Sequence, residues 1–137
     1  MSRERLFLDT NVLIYAFAED RRTAAAEGLL TAGGEISVQV LNEFTSVARR
    51  KLGFSWAQLE EALEAIQSLV RKVHPLDQET HRAGLQLARR YNLSIYDGLI
   101  VASALQAACT ILYSEDLHNG LIVGEQLRII NPFDPGR

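Results

Sequence analysis

Four acids in this chain sit where acids are costly. Asp9 closes the apolar run Leu6-Phe7-Leu8 and begins the polar stretch Asp9-Thr10-Asn11. Glu43 lies inside the apolar helical run Val40-Leu41-Asn42-Glu43-Phe44. Asp97 follows Leu93-Ser94-Ile95-Tyr96 and opens an apolar helix. Asp116 follows the strand-like run Ile111-Leu112-Tyr113-Ser114. Taken singly, Asp9, Asp97 and Asp116 have a plain reading as turn or cap residues, and Glu43 as part of a solvated helix face. Together they suggest something else. Unpaired carboxylates in apolar surroundings are unfavourable, and converging ones repel and require a cation. Clustered carboxylate oxygens suit a hard divalent ion, Mg²⁺ or Mn²⁺, which points to phosphate chemistry.

The elements that must position these acids alternate between strand-like and helix-like. Leu6 to Leu8 reads as the first strand, followed by a helix over Val12 to Ala18 with Asn11 near its start. A second helix runs from about Arg21 to Thr31, with Asp20 as its N-cap and Gly33-Gly34 as its stop. Ile36 to Val38 is strand-like. Val40, Leu41, Phe44, Val47, Ala48 and Leu52 then recur at helical spacing up to Gly53. Ser55-Trp56-Ala57-Gln58 has the form of a capping box, and Leu59, Leu63, Ile66 and Leu69 continue that helix.

Lys72 to His74 is a short strand ending at Pro75, and Asp77 caps a helix that ends near Asn92. Asp97 opens the most apolar helix, Gly98 to Ala108. Cys109 to Tyr113 is a buried strand, and Ser114 to Val123 a loop or partly helical segment. Leu127 to Ile130 is a last strand, stopped by Asn131-Pro132. Such alternation implies a largely parallel sheet with helices on both faces. In that architecture, sites gather beyond the carboxyl ends of the strands, where Asp9 and Asp116 fall. No internal repeat or linker breaks the chain, so residues 1–137 read as one domain, with Pro135-Gly136-Arg137 as a loose end.

Composition bounds the function classes. The chain has 137 residues, enough for one real hydrophobic core, with 47% hydrophobic and 23% charged residues. No stretch is long and apolar enough to span a bilayer, and no signal-like segment follows Met1-Ser2-Arg3-Glu4-Arg5. Cys109 is the only cysteine, which excludes an intrachain disulfide and a thiolate cluster. It reads as a buried inert thiol, consistent with a reducing cytoplasm. The net charge of −3 argues against a simple basic nucleic-acid binder. Without the four acids, however, 13 acidic residues face 14 Lys plus Arg. A metal-neutralised acidic pocket is therefore compatible with nucleic-acid contacts elsewhere.

Four pieces together carry a family resemblance: Phe7-Leu8-Asp9-Thr10-Asn11-Val12-Leu13, Leu41-Asn42-Glu43-Phe44, Tyr96-Asp97-Gly98-Leu99-Ile100-Val101-Ala102 and Leu112-Tyr113-Ser114-Glu115-Asp116-Leu117. In this order and spacing, over nearly the whole chain, the sequence resembles PIN-domain ribonucleases, specifically the VapC-type toxins of bacterial and archaeal toxin–antitoxin pairs. The resemblance implies a three-layer α/β/α domain with a central, mainly parallel twisted sheet. It implies hydrolysis of RNA by Mg²⁺- or Mn²⁺-activated water, leaving a 5′-phosphate and a 3′-hydroxyl. Asp9, Glu43, Asp97 and Asp116 match the family's acidic, metal-holding positions, and Asn11 and Ser114 its supporting polar ones. A cognate antitoxin and a homodimer are the implied partners.

The segment after Asp116 departs from the commoner family pattern, which has a second acid two residues later and then an aromatic. Here those positions are His118 and Asn119, which puts a fifth carboxylate and full occupancy of a second metal site in doubt. His118 is open between a phosphate or water contact and a loop role. In an extended segment Glu115 points away from Asp116.

Arg49-Arg50-Lys51, Arg71-Lys72 and Arg89-Arg90 are candidate phosphate contacts. Cations at helix C-termini are also favourable without a ligand, and that reading is preferred for Arg89 and Arg90. Trp56 is assigned to packing ahead of base stacking, and His74 and His81 to surface or structural roles. The helices over Arg21 to Leu30 and Trp56 to Val70 carry apolar faces; the resemblance gives such surfaces to dimerisation and antitoxin binding. Two alternatives compete with the nuclease. One is a phosphatase-like hydrolase with Asp9 as nucleophile, disfavoured because Asn11 stands where a second Asp is wanted. The other is a non-catalytic RNA-binding regulatory domain.

Overall fold

The computed structural model describes residues 4–134. The loose end expected at residues 135–137 and the first three residues lie outside that range. Six strands, β1 (Leu6–Leu8), β2 (Glu35–Ser37), β3 (Lys72–His74), β4 (Ile111–Tyr113), β5 (Ile122–Val123) and β6 (Leu127–Ile130), form one sheet in the order β3-β2-β1-β4-β6-β5. All pairings are parallel except β5 with β6. Six helices connect them: α1 (Thr10–Ala16), α2 (Thr23–Thr31), α3 (Val38–Arg50), α4 (Trp56–Leu69), α5 (Gln78–Tyr91) and α6 (Ile95–Gln106).

Phe7, Leu8, Ile36, Ile111 and Leu112 are buried whichever way they point from the sheet. Parallel strands covered on both faces have this character, and the result is the expected α/β/α layering. No helix among the described residues is long and apolar enough to cross a membrane.

The order of strands creates the site's location. From β1 the chain moves to β2 on one side, and β4 later pairs with β1 on the other. The crevice beyond the carboxyl ends of β1 and β4 is thus a topological switch point. Asp9 leaves β1 with its N–H donated to Tyr113 O (3.0 Å), and Ser114 leaves β4 with its N–H donated to Ile130 O (3.0 Å).

Several boundaries differ from expectation for identifiable reasons. Helix α1 begins at Thr10, because the Asp9 carboxylate itself caps it by accepting from Thr10 N. Helix α2 begins at Thr23, not Arg21. Asp20 does accept from Arg22 N (2.9 Å), but it holds a turn ahead of the helix and also binds the Arg22 guanidinium. Strand β2 is Glu35–Ser37, since Ser37 is the N-cap of α3 and Val38 already helical. Asp97 does not open α6. Ser94 is the N-cap, accepting from Asp97 N (3.1 Å), and Asp97 is the third helical residue. Ala108 takes a left-handed conformation (φ 58°) that delays β4 to Ile111. The capping box at Ser55 with Gln58, the Asp77 cap and the left-handed Asn92 at the end of α5 are as expected. Trp56 is a correction: it is 63% exposed, lying under the Arg49 guanidinium at 4.1 Å and not in the core.

Gly98, next to Asp97, meets Gly84 where α6 crosses α5, and a Cβ there would overlap the Gly84 carbonyl oxygen. Gly98→Ala is therefore expected to push the helices apart at a cost of about 1–3 kcal/mol, read as a lowered urea midpoint. An unchanged midpoint would show that the two helices yield freely.

Candidate metal-binding site

Asp9 is the deepest of the four acids, with 3% of its surface exposed. Both of its oxygens are held. Oδ1 accepts from Thr10 N (2.7 Å), and Oδ2 accepts from Ser114 Oγ (2.7 Å) and, at 3.4 Å, from Asn11 Nδ2. The same Asn11 amide donates to Asp116 Oδ2 (3.2 Å), so Asn11 ties the two aspartates of adjacent strand ends together. Its own oxygen accepts from Glu115 N (3.2 Å), and Ser114 Oγ accepts from the N–H groups of Asp116 and Leu117. Asn11 and Ser114 thereby shape the loop after β4 around Asp9.

Glu43 reaches the site from the middle of α3. Its Oε1 accepts from Thr10 Oγ1 (2.8 Å) and its Oε2 from Gln39 Nε2 (3.0 Å). Thr10 and Gln39 are positioning residues that sequence reasoning missed. Gln39 had a signal, since it precedes Glu43 by one helical turn. Asp97 enters from the first turn of α6 and is half-buried, while Asp116 is exposed. The four acids thus grade from core to solvent.

Electrostatics shows that the acids feel one another. Burial, above all, pushes the Asp9 carboxyl up from 3.8 to about 7. The Ser114 hydroxyl and Thr10 N–H oppose this, and the charges of Asp97 and Glu43 add to it. Asp97 is also raised, by burial first and then by Glu43 and Asp116. Among the described residues, none of the four acids is ion-paired to a cationic side chain. Nor do three acidic, histidine or cysteine side chains close into a ready-made metal cage among those residues. The donors the four acids offer are carboxylate oxygens, which suit a hard cation over a soft one.

A second network braces the loop carrying Asp116. As expected, Glu115 points away from Asp116. It accepts from Tyr15 OH (2.5 Å) and from Arg22 Nη1 (2.8 Å). Arg22 also grips Asp20 and lies over the Tyr15 ring at 3.9 Å. Tyr15 and Arg22 carried no sequence signal, since their partner is about a hundred residues away. Arg22→Ala is expected to lower the urea midpoint modestly and to weaken divalent-ion binding by loosening Asp116. Calorimetric titration with Mn²⁺ checks this, and wild-type affinity would confine Arg22 to a purely structural role.

His118 is exposed, and its carbonyl accepts from Leu121 N. His74 lies elsewhere, with Nε2 2.7 Å from buried Glu35. Cys109 is buried, and its thiol is pushed up to about 12, by burial first and then by the Glu35 charge.

A family model described as "PIN domain" matches residues 6–118. No curated protein sequence matches the chain. Among solved structures, the chain is similar to a toxin–antitoxin complex from Klebsiella pneumoniae, with TM-score 0.71, 20% identity, and 95% of this chain and 98% of that one covered. It is similar to VapC20 of Mycobacterium tuberculosis, described as a sarcin–ricin-loop-cleaving toxin, with TM-score 0.68, 20% identity, and coverage of 81% and 89%. It is also similar to VapBC2 from Rickettsia felis bound to a promoter DNA fragment, with TM-score 0.63, 20% identity, and coverage of 92% and 98%. At these identities the likeness is one of fold.

Proposed function

The chain belongs to the PIN-domain family, and from that membership we propose that it is a metal-dependent endoribonuclease, the VapC-type toxin of a toxin–antitoxin pair, with residues 1–137 as one PIN domain. The observation that carries this reading is the set of four mutually repelling acids at the switch point, none of them ion-paired to a cationic side chain among the described residues. Asp9, Glu43, Asp97 and Asp116 would hold Mg²⁺ or Mn²⁺. When bound, the ion would activate water for in-line attack on a phosphodiester and offset charge on the departing oxygen.

The chain's own residues supply the positioning. Ser114 and the Thr10 N–H keep Asp9 in one orientation, Thr10 and Gln39 do the same for Glu43, and Asn11 fixes Asp116 relative to Asp9. Such pre-set ligands lose little freedom when a cation arrives. The exposed side of Asp116 leaves room for a phosphate to approach. A phosphatase with Asp9 as nucleophile is disfavoured, because both Asp9 oxygens are engaged and Asn11 offers an amide where a second acid is wanted.

A cognate antitoxin and a second copy of the chain are the proposed protein partners, and the cytoplasm the proposed compartment. An apolar-lined groove of about 310 Å³ between α2 and α4, bordered by Phe17, Leu30 and Leu69, offers a face for one of them.

The test uses purified chain freed of any partner and a mixed structured RNA pool, with Mg²⁺, Mn²⁺ or chelator, alongside Asp97→Asn. Discrete cuts that need metal are expected, slowed at least about a hundredfold in Asp97→Asn. Cuts that persist in chelator, or absence of metal binding by titration calorimetry, would sink the reading.

A further inference from the structure

The face of α3 that presents Glu43 to the acid site continues past it. Ser46, Val47 and Arg50 follow along the helix and, with Asn42 just before Glu43 and Tyr96 at the start of α6, line an open groove of about 420 Å³ that includes Glu43. Tyr96 is 59% exposed although it neighbours Asp97. An aromatic ring left in water beside half-buried acids is not explained by core packing. Arg50 stands seven residues beyond Glu43, about 10 Å along the helix axis. Its guanidinium donates to Ser46 Oγ (3.2 Å), which turns it along the groove.

Its neighbour Arg49 is committed elsewhere, donating to Phe54 O (2.7 Å) and lying over Trp56. The Arg49-Arg50-Lys51 run therefore divides, with Arg49 tied to the turn before α4 and Arg50 to the groove. Arg71 lines a different cavity, with Arg5 and Glu35, at the amino ends of the strands.

An exposed ring, polar groups that can pair with base edges, and one cation at the far end suit a single-stranded nucleic acid. Unstacked bases seek aromatic faces, and phosphates seek Arg. We propose that the groove between α3 and the start of α6 is a single-stranded RNA subsite, in which Tyr96 stacks on a base beside the scissile phosphate and Arg50 holds a neighbouring phosphate. The subsite rests on the nuclease reading above and deepens it by naming the side chains of this chain that would hold the strand beside the acids. Asn42 and Ser46 line the same groove and are placed to meet base edges.

The experiment measures binding of a labelled, mixed-sequence single-stranded RNA by fluorescence anisotropy with Mg²⁺ present. The full chain carries Asp9→Asn so that the RNA stays intact. Tyr96→Ala is expected to weaken binding roughly 5- to 100-fold, while Tyr96→Phe retains it, because stacking needs the ring and not the hydroxyl. Arg50→Gln is expected to weaken binding and to reduce the slope of log affinity against log salt by about 0.7, the loss of one single-strand phosphate contact. Arg128→Gln, on β6 beside the amino end of β4 in a cavity shared with Glu4 and Glu125, serves as the distant-cation control and leaves both unchanged.

Wild-type binding in both Tyr96→Ala and Arg50→Gln would overturn the subsite and leave the nuclease reading standing. Equal losses in Tyr96→Ala and Tyr96→Phe would overturn the stacking role. Loss of a protein partner with RNA binding intact would make the groove a protein-docking face and overturn the proposal. Failure of the nuclease reading is distinct: the unsubstituted chain would then cut no RNA in the presence of metal, whether or not it binds RNA.

Discussion

Asp9→Asn is expected to abolish RNA cleavage and, in the metal-free chain, to raise stability at pH 8. The two effects share one cause. Asp9 is buried against Asp97 and Glu43, and its carboxyl is pushed from 3.8 to about 7. A carboxyl whose folded value lies above its unfolded value binds its proton more tightly in the folded chain. Its contribution to stability is most favourable below about pH 4 and declines as pH rises through about 7, where the folded carboxyl ionises. A shift of about three units corresponds to at most about 4 kcal/mol at pH 8.

Asparagine removes that charge but disturbs the contacts at Oδ2. Its amide would face Ser114 Oγ, which already accepts from Asp116 N and Leu117 N, and the more distant Asn11 amide, itself a donor. That conflict costs about 1–2 kcal/mol, so a net gain of about 1–3 kcal/mol is expected at pH 8 and none near pH 4. Thermal melts in chelator at the two pH values, beside a cleavage assay with metal, check this. If Asp9→Asn were equally destabilised at both, Asp9 would be a helix cap and not a charge held in strain for a ligand. A site that trades stability for chemistry is expected to behave in the first way.

The second large effect concerns an acid far from the chemistry. Glu35 has 1% of its side chain exposed and accepts from Arg5 Nε (3.0 Å) and Nη2 (2.9 Å), with His74 Nε2 at 2.7 Å. Burial alone would raise its carboxyl. The Arg5 guanidinium and then His74 outweigh burial and hold it below the ordinary range. Glu35→Ala would leave Arg5 and His74 without their partner at the amino ends of β1 and β2. Because Arg5 is 35% exposed, water would recover part of the loss. A cost of about 2–4 kcal/mol is expected, below the full value for a wholly buried pair.

The sign with pH is opposite to that of Asp9. A depressed carboxyl contributes stability above its unfolded value, and that stability is lost as pH falls through the lower folded value. The urea midpoints of wild type and Glu35→Gln are therefore expected to converge in acid, while cleavage per folded molecule stays equal. A midpoint gap independent of pH would remove the charge from the explanation and leave packing alone.

The acids that make up the candidate site were legible because each breaks a local pattern. Asp9 ends an apolar strand, Glu43 interrupts an apolar helix face, and Asp97 and Asp116 follow apolar runs. Elements with strong signals, such as the Ser55 capping box and the Asp77 cap, came out where their local chemistry put them. Boundaries failed where one side chain had two plausible jobs. Asp20 holds a turn instead of capping α2, and Ser94 takes the cap that Asp97 had been assigned. Glu35 was not legible at all, because a lone Glu in Gly34-Glu35-Ile36 looks like an edge charge until Arg5 and His74 close on it.

The sequence by itself determined which elements form and which acids are candidates for the chemistry, because helix and strand periodicity, caps and misplaced charges are local properties. Only the tertiary structure decided how those residues serve one another. The strand order brings the ends of β1 and β4 side by side, so that Asn11 spans Asp9 and Asp116, and Arg22 reaches Glu115. The burial that lifts Asp9 toward 7 comes from helices and loops distant in sequence. Such contacts depend on the closing of long chain segments, and no window of neighbouring residues records which segments will meet.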